Sequence, residues 1–219
     1  MKRYTKENDV VLELFSGSGT TLYECEELNR NYIGFDINNK MNEVVKKNMA
    51  ETDINYVLNT CDITNTTIFN EKMKKSMSFL NVDGVDFMIA HPPYLDIVKF
   101  TDKKEDISNI SDVNLFIKKV TTAIKNGYNY LKNDSYLGIV MGDIYRNKEV
   151  IPLGFYVLDS LKKNISVKLK GIIVKNIEGN RGKLGAYDIW KYRALKSDYY
   201  LFKHEYIFVL KKESLHDKD

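Results

Sequence analysis

A glycine turn set between two apolar runs constrains this chain more than any other feature. "DVVLELF" at 9–15 reads as a continuous apolar strand, the kind buried on both faces of a sheet. "SGSG" at 16–19 breaks it. "TTLYECEELNR" at 20–30 then carries apolar residues near helical spacing, with Thr20 or Thr21 placed to cap. "NYIGFDI" at 31–37 is a second strand that closes on an acid, Asp36. Strand, turn, helix and strand in so short a span predict a parallel βαβ unit with its crossover helix packed on the sheet.

The rest of the chain repeats the alternation. Helices are expected over 41–52, 66–80, 112–131 and 155–163. Strands are expected over 55–61, 84–90, 135–143, 168–176 and 204–212. Residues 95–110 are polar without a clear period and read as a loop. The fold class expected is α/β, a Rossmann-like doubly wound sheet of seven strands in a single domain over 1–219. A basic segment at 177–203 interrupts the pattern as an insertion before the last strand.

A chain of 219 residues can bury a full core. Its longest apolar runs fall short of the roughly 18 residues a membrane span needs, and "MKRYTKENDVV" lacks the apolar core of a signal peptide, so a cytoplasmic protein with no membrane partner is expected. Cys25 and Cys61 lack metal-ligand spacing and read as buried free thiols. The formal net charge is only +3, but residues 162–203 hold eleven Lys and Arg against three acids, a net +8 that leaves about −5 elsewhere. Tyr187, Trp190, Tyr192, Tyr199 and Tyr200 are interleaved with those cations. Such a segment can hold phosphates and stack on bases, with Arg181, Lys183, Lys191 and Arg193 as the candidate nucleic-acid contacts. On charge alone, a solvated surface explains it equally well.

Ligands of a doubly wound sheet sit at the carboxyl ends of its strands. Glycines in the turn after the first strand let a ligand approach the backbone, and Asp36, about 20 residues on, can accept both hydroxyls of a ribose. Gly19-Thr20-Thr21 lacks the lysine of a phosphate loop, and Leu22 stands where a dinucleotide fingerprint has its third glycine. An adenosine-type ligand remains, with a purely structural turn as the alternative. Glu13 lies inside the first strand, where a carboxylate needs a partner that an amine-bearing ligand would supply. Asp62 can reach an adenine amino group or serve a turn before "ITNTT".

His91-Pro92-Pro93-Tyr94 follows the fourth strand. Two prolines stiffen the backbone and remove two donors, leaving carbonyl acceptors, the His91 side chain and the Tyr94 ring. That set suits gripping the amino group of a planar base while Tyr94 stacks on it, and proximity supplies much of the rest. A rigid strand exit is the alternative.

Together these stretches resemble the DNA amino-methyltransferase family, the adenine-N6 and cytosine-N4 enzymes. "ELFSGSGTT" resembles its S-adenosylmethionine motif, "NRNYIGFDI" its ribose-binding strand, "HPPY" its catalytic tetrapeptide and "FKHEYIFVLKK" its terminal strand. The resemblance implies that Phe15, Gly17, Gly19, Thr20 and Asp36 bind the cofactor, that Glu13 lies near its methionine amine, and that His91, Pro92, Pro93 and Tyr94 are catalytic. Three departures stand out. His91 replaces the usual Asp, Asn or Ser, so it must be neutral to accept. Glu13 replaces the usual Asp. Only "MKRYTKEN" precedes the first strand, too short for a stable helix, so a partner chain or a missing N-terminal segment is expected to complete the methionine end of the site.

The expected function is methyl transfer from S-adenosylmethionine to an exocyclic amino group of a flipped base in DNA, adenine N6 ahead of cytosine N4. No metal is implied, since a sulfonium leaving group needs no Lewis acid. The alternatives are an RNA or protein-amide methyltransferase and a non-catalytic subunit that binds cofactor and nucleic acid.

Overall fold

The computed structural model describes residues 1–177, 200 and 203–214. The elements run β1 (Val10–Glu13), α1 (Thr20–Glu27), β2 (Asn31–Asp36), α2 (Asn39–Asn48), β3 (Tyr56–Thr60), α3 (Thr66–Leu80), β4 (Val85–Ala90), α4 (Val113–Tyr128), β5 (Leu131–Met141), β6 (Ile144–Arg146), β7 (Glu149–Ile151), α5 (Leu153–Asn164), β8 (Val167–Asn176) and β9 (His204–Lys212). Every strand and helix expected from periodicity is present, with ends shifted by a few residues.

Seven strands form one sheet in the order β3-β2-β1-β4-β5-β9-β8. β3, β2, β1, β4 and β5 are mutually parallel, and β9 runs antiparallel to both β5 and β8. The chain winds outward from β1 to β3, then returns to place β4 on the other side of β1. The winding therefore reverses between β1 and β4, and the crevice at their carboxyl ends is the switch point where such sheets bind ligands.

Each face of the sheet has its own core. Phe69 and Met73 of α3, Phe116, Val120 and Ile124 of α4 and Val157 and Leu161 of α5 pack on Leu12, Met88, Leu137 and Phe208. On the opposite face Leu22 and Cys25 of α1 and Val45 of α2 pack on Val11, Tyr32, Leu58 and Phe87. No helix among the described residues covers β4 and β5 on that second face. The N-terminal turns lie there instead, with the Tyr4 ring stacked on Phe87 at 5.9 Å and tilted against Tyr136 at 4.7 Å.

Helix starts mostly follow the local chemistry. Asn38, Asn65 and Asp112 accept the backbone N–H of Met41, Ile68 and Leu115 to cap α2, α3 and α4. The cap expected of Thr20 or Thr21 at α1 is not made. Gly19 holds the N-cap position with φ +83°, and no side chain caps the helix. Thr20 and Thr21 are already inside the helix, and the Thr21 hydroxyl donates to Glu13.

The loop at 95–110 is irregular apart from one 3-10 turn, Ile107–Asn109. The β6–β7 hairpin was not read from sequence. Its two-residue turn puts Asn147 at φ +54° and Lys148 at φ +65°, a primed turn in which lysine replaces the usual glycine, so the sequence signal is weak. Cys25 and Cys61 are free, and burial pushes their thiols up to about 12 and about 11.

Candidate active site

The glycine turn and the end of β2 are locked together by one carboxylate. Asp36 Oδ2 accepts the Gly17 N–H at 2.7 Å, and Oδ1 accepts the Asn38 N–H at 2.7 Å. Burial raises the pKa of this carboxyl above the usual aspartate value, and the backbone donors Asn38 and Gly17 oppose the rise. An ionised carboxylate has about four lone-pair positions, so roughly two remain for ribose hydroxyls.

Gly17 and Gly19 have different jobs. Gly17 is exposed at φ +48°, and a Cβ built on it meets nothing within 4 Å, so its open face can receive a ligand. Gly19 is buried, and a Cβ there would sit 2.7 Å from Val45 Cγ1. That glycine lets α1 begin against α2. Phe15 is half-buried against the core and Thr20 is exposed at the first helical position, both bordering the turn.

Glu13 needs no ligand to satisfy it, which corrects the reading from sequence. Its side chain is buried at 5% exposure, yet Oε1 accepts the Thr21 hydroxyl at 2.6 Å and Oε2 the Tyr32 hydroxyl at 2.5 Å. Gly34 makes this possible, because the Tyr32 ring lies across it within 2.5 Å of where a Cβ would stand. Desolvation pushes the Glu13 carboxyl up to about 7, and the two hydroxyl bonds hold it back. Asp62 Oδ1 accepts both the backbone N–H and the hydroxyl of Thr64 at 2.8 Å, so it organises the turn before α3, while Asn65 makes the cap.

The HPPY turn leaves β4 directly across the crevice. Pro92 is buried, and Leu95 turns the chain at φ +52° with its side chain in the core. The Tyr94 hydroxyl donates to Glu205 Oε1 at 3.0 Å and faces the Gly142 N–H. His91 Nε2 lies 3.1 Å from the same hydroxyl and 3.8 Å from Glu205 Oε1. Lys175 Nζ binds Glu205 Oε2 at 3.2 Å. The His91 side chain is 46% exposed. Desolvation lowers its basicity, the Glu205 carboxylate raises it, and the Lys175 ammonium lowers it again, with a net shift downward.

Glu205 was missed as a site residue. It sits in the last strand, and only the reversed direction of β9 brings that strand's first residues to the carboxyl ends of β4 and β5. The sole sequence signal is an acid just before the apolar middle of the strand, Tyr206–Leu210. Asp143 lies just past β5, although the strand expected over 135–143 includes it. Burial raises its carboxyl, Tyr206 bonds it, and its Oδ1 has no partner among the described residues.

From the 95–110 loop, Lys103 Nζ reaches the Ile37 carbonyl at 2.6 Å, beside Asp36, and Asp106 knots the loop through Thr101 and Ser108. The basic insertion, with Arg181, Lys183, Lys191 and Arg193, lies outside the described residues. Its flanks are described: Ile177 N–H donates to the Lys203 carbonyl at 2.8 Å, at the same end of the sheet as His91. Two open depressions of about 500 and 300 Å3 lie at the opposite end, near Asp83 and Lys132, away from every motif above. No cluster of three metal-ligating side chains occurs among the described residues, and none of their helices is long and apolar enough to cross a membrane.

Residues 1–47 match the model of the DNA methylase family. A 35-residue stretch is 57% identical to the Type II methyltransferase M.HindIII of Haemophilus influenzae, covering 16% of this chain and only 11% of that enzyme. The fold is similar to a SAM-dependent methyltransferase from Methanosarcina mazei, at TM-score 0.57 and 11% identity over 97% of this chain and 96% of that one. It is also similar to Aeropyrum pernix fibrillarin solved with S-adenosyl-L-methionine, at TM-score 0.52 and 13% identity over 94% and 67%. The chain thus has a Rossmann-like methyltransferase fold, and its residues 1–47 match the model of the DNA methylase family.

Proposed function

We propose that this chain transfers a methyl group from S-adenosylmethionine to an exocyclic amino group of a base in DNA, adenine N6 ahead of cytosine N4, with a place in restriction–modification. One observation carries the reading: the sheet order brings the Gly17 turn, Asp36 and the HPPY turn to the carboxyl ends of three adjacent strands, β2, β1 and β4. The residues present fit the cofactor. Gly17 offers an open backbone face, and Asp36 keeps acceptor positions for ribose hydroxyls. When bound, S-adenosylmethionine supplies a methyl group on a positively charged sulfur.

The chain's own residues then handle the target amino group. Carbonyls of the HPPY turn and the His91 ring accept its hydrogens, while Tyr94 stacks on a base flipped out of the duplex. Held so, the nitrogen lone pair faces the methyl donor. The match to a Type II methyltransferase supports DNA as the substrate, and the net positive charge of the 177–203 segment, whose flanking residues Ile177 and Lys203 are hydrogen-bonded to each other, supports nucleic acid over a protein amide.

The test offers labelled S-adenosylmethionine with DNA, RNA and protein in parallel. The product is digested to nucleosides and identified by mass. N6-methyladenine or N4-methylcytosine from DNA is the expected result. Label in RNA or protein alone moves the substrate, and cofactor binding without any transfer makes the chain a binding subunit.

A further inference from the structure

The proton arrangement at His91 follows from its neighbours. A tyrosine hydroxyl has one proton and two acceptor positions. Tyr94 gives its proton to Glu205 Oε1 and faces the Gly142 N–H. Its remaining capacity at His91 Nε2, 3.1 Å away, is as an acceptor, so that nitrogen must carry hydrogen. A neutral imidazole protonated on Nε2 has its lone pair on Nδ1.

We propose that Glu205 is a positioning residue for the transfer reaction: by taking the Tyr94 hydroxyl proton it fixes the tyrosine ring and commits His91 to the Nε2–H tautomer, leaving Nδ1 as the acceptor for the target amino group. The inference rests on the methyltransferase reading above. Lys175 completes the device from β8. It occupies the second carboxylate oxygen, so Oε1 alone faces Tyr94. Glu205 is suited to the task because its side chain is only 12% exposed, where water competes weakly for the bond. The Tyr94 ring lies over Gly142, in space that a side chain there would crowd, since a Cβ would stand 3.2 Å from its Cε2.

The charge state of His91 is set by the groups that face it, Tyr94 from its own turn, Glu205 from β9 and Lys175 from β8. Protonation would place the second proton on Nδ1 and turn the acceptor into a donor, so transfer falls on acidification. Glu205 favours the charged ring, so its neutralisation moves that acidic limb to lower pH.

Glu205→Gln makes the sharpest test. Its amide oxygen turns to the Lys175 ammonium, which leaves the NH2 facing Tyr94. The hydroxyl then receives a proton where it gave one, and donates its own to His91 Nε2. The tautomer inverts.

The experiment is 15N NMR of the imidazole rings in the full chain, with its three histidines assigned through His91→Asn. The parent shows Nε2 protonated and Nδ1 with the shift of a bare lone pair. Glu205→Gln shows the reverse, and Tyr94→Phe shows a mixture. In single-turnover transfer Glu205→Gln slows the chemical step on the order of 10²-fold, keeps cofactor affinity, and shifts the acidic limb downward. An amide correlation spectrum like the parent's checks that each variant is folded, and Tyr94→Phe supplies a second route if Glu205→Gln is not. A parent ring protonated on Nδ1, or a Glu205→Gln variant with the parent's tautomer and pH profile, overturns the proposal. A parent with Nε2 protonated, and a Glu205→Gln variant with the tautomer inverted, in a chain that methylates no base refute the proposed function and Glu205's part in it, while the hydrogen-bond assignment stands.

Discussion

The glycine turn with Asp36 and the HPPY turn with Glu205 face one crevice, but they are held in different ways. Asp36 binds the turn through a backbone N–H only 19 residues away, across adjacent parallel strands. Tyr94 is held by a side chain 111 residues away, across two further strands of the sheet. The first wall is a short-range device made with the main chain, and it forms whenever β1 and β2 pair. The second depends on side chains of β4, β8 and β9, so it exists only once the whole sheet has closed, at the greater entropic cost of long loops. On the proposed function the first wall holds the cofactor and the second the target, and a site built this way can lose its target wall while keeping its cofactor wall. Variants should therefore separate the two.

The largest separation is expected from the basic insertion. Changing Arg181, Lys183, Lys191 and Arg193 together to Gln should flatten the salt dependence of duplex binding by roughly 3–4 units of slope, about 10³-fold in affinity near ~0.1 M salt. Cofactor affinity should stay at the parent's value. An unchanged slope in a salt titration would reduce the segment to a solvated surface.

Glu13 tests the cofactor wall from beneath. Its carboxyl is raised from 4.5 to about 7 in the folded chain, so between those values the folded state binds more protons than the unfolded one. Stability from this residue is fully present below about 4.5 and is lost as pH rises through about 7, a span of about 3 kcal/mol. Glu13→Gln keeps a donor and an acceptor for Thr21 and Tyr32, and should remove most of that decline. Urea unfolding at pH 5 and pH 8 measures it. A parent whose stability does not fall over that interval would mean the buried carboxylate is better solvated than its surroundings indicate.

His91→Ala should strike the target wall alone. Turnover is expected to fall on the order of 10²-fold with cofactor binding intact, as for other losses of one positioned hydrogen-bonding group. His91→Asn and His91→Asp should stay active and lose the acidic limb, because each supplies an acceptor without titrating in that range. Rates equal to the parent's for the alanine variant, with the same pH profile, would remove His91 from the mechanism.

The smallest effect is expected at Asp36. Replacement by Ala should weaken S-adenosylmethionine binding by about 1.5–3 kcal/mol through loss of a charged acceptor. It also frees the Gly17 N–H, so part of the loss reports a loosened turn. Calorimetry on a folded variant that binds like the parent would place the ribose elsewhere.

Much of this molecule was legible in its residues, because the chemistry that makes it is local. Apolar periodicity located the seven strands of the main sheet and the helices between them, since a parallel strand buried on both faces must be continuously apolar and its crossover helix must carry one apolar stripe. The glycine turn, Asp36 and the HPPY turn stood out because each is a short run of residues whose backbone demands are unusual. Sequence could not distinguish Gly17 from Gly19, since only the packing of α1 against Val45 makes one a packing contact and leaves the other open to a ligand. Nor could it find the partners of Glu13, which depend on Tyr32 lying across Gly34. Glu205 is the clearest case. No local pattern marks an acid whose role comes from the direction of its strand, and the antiparallel entry of β9 beside β5 alone carries it to the tyrosine it holds.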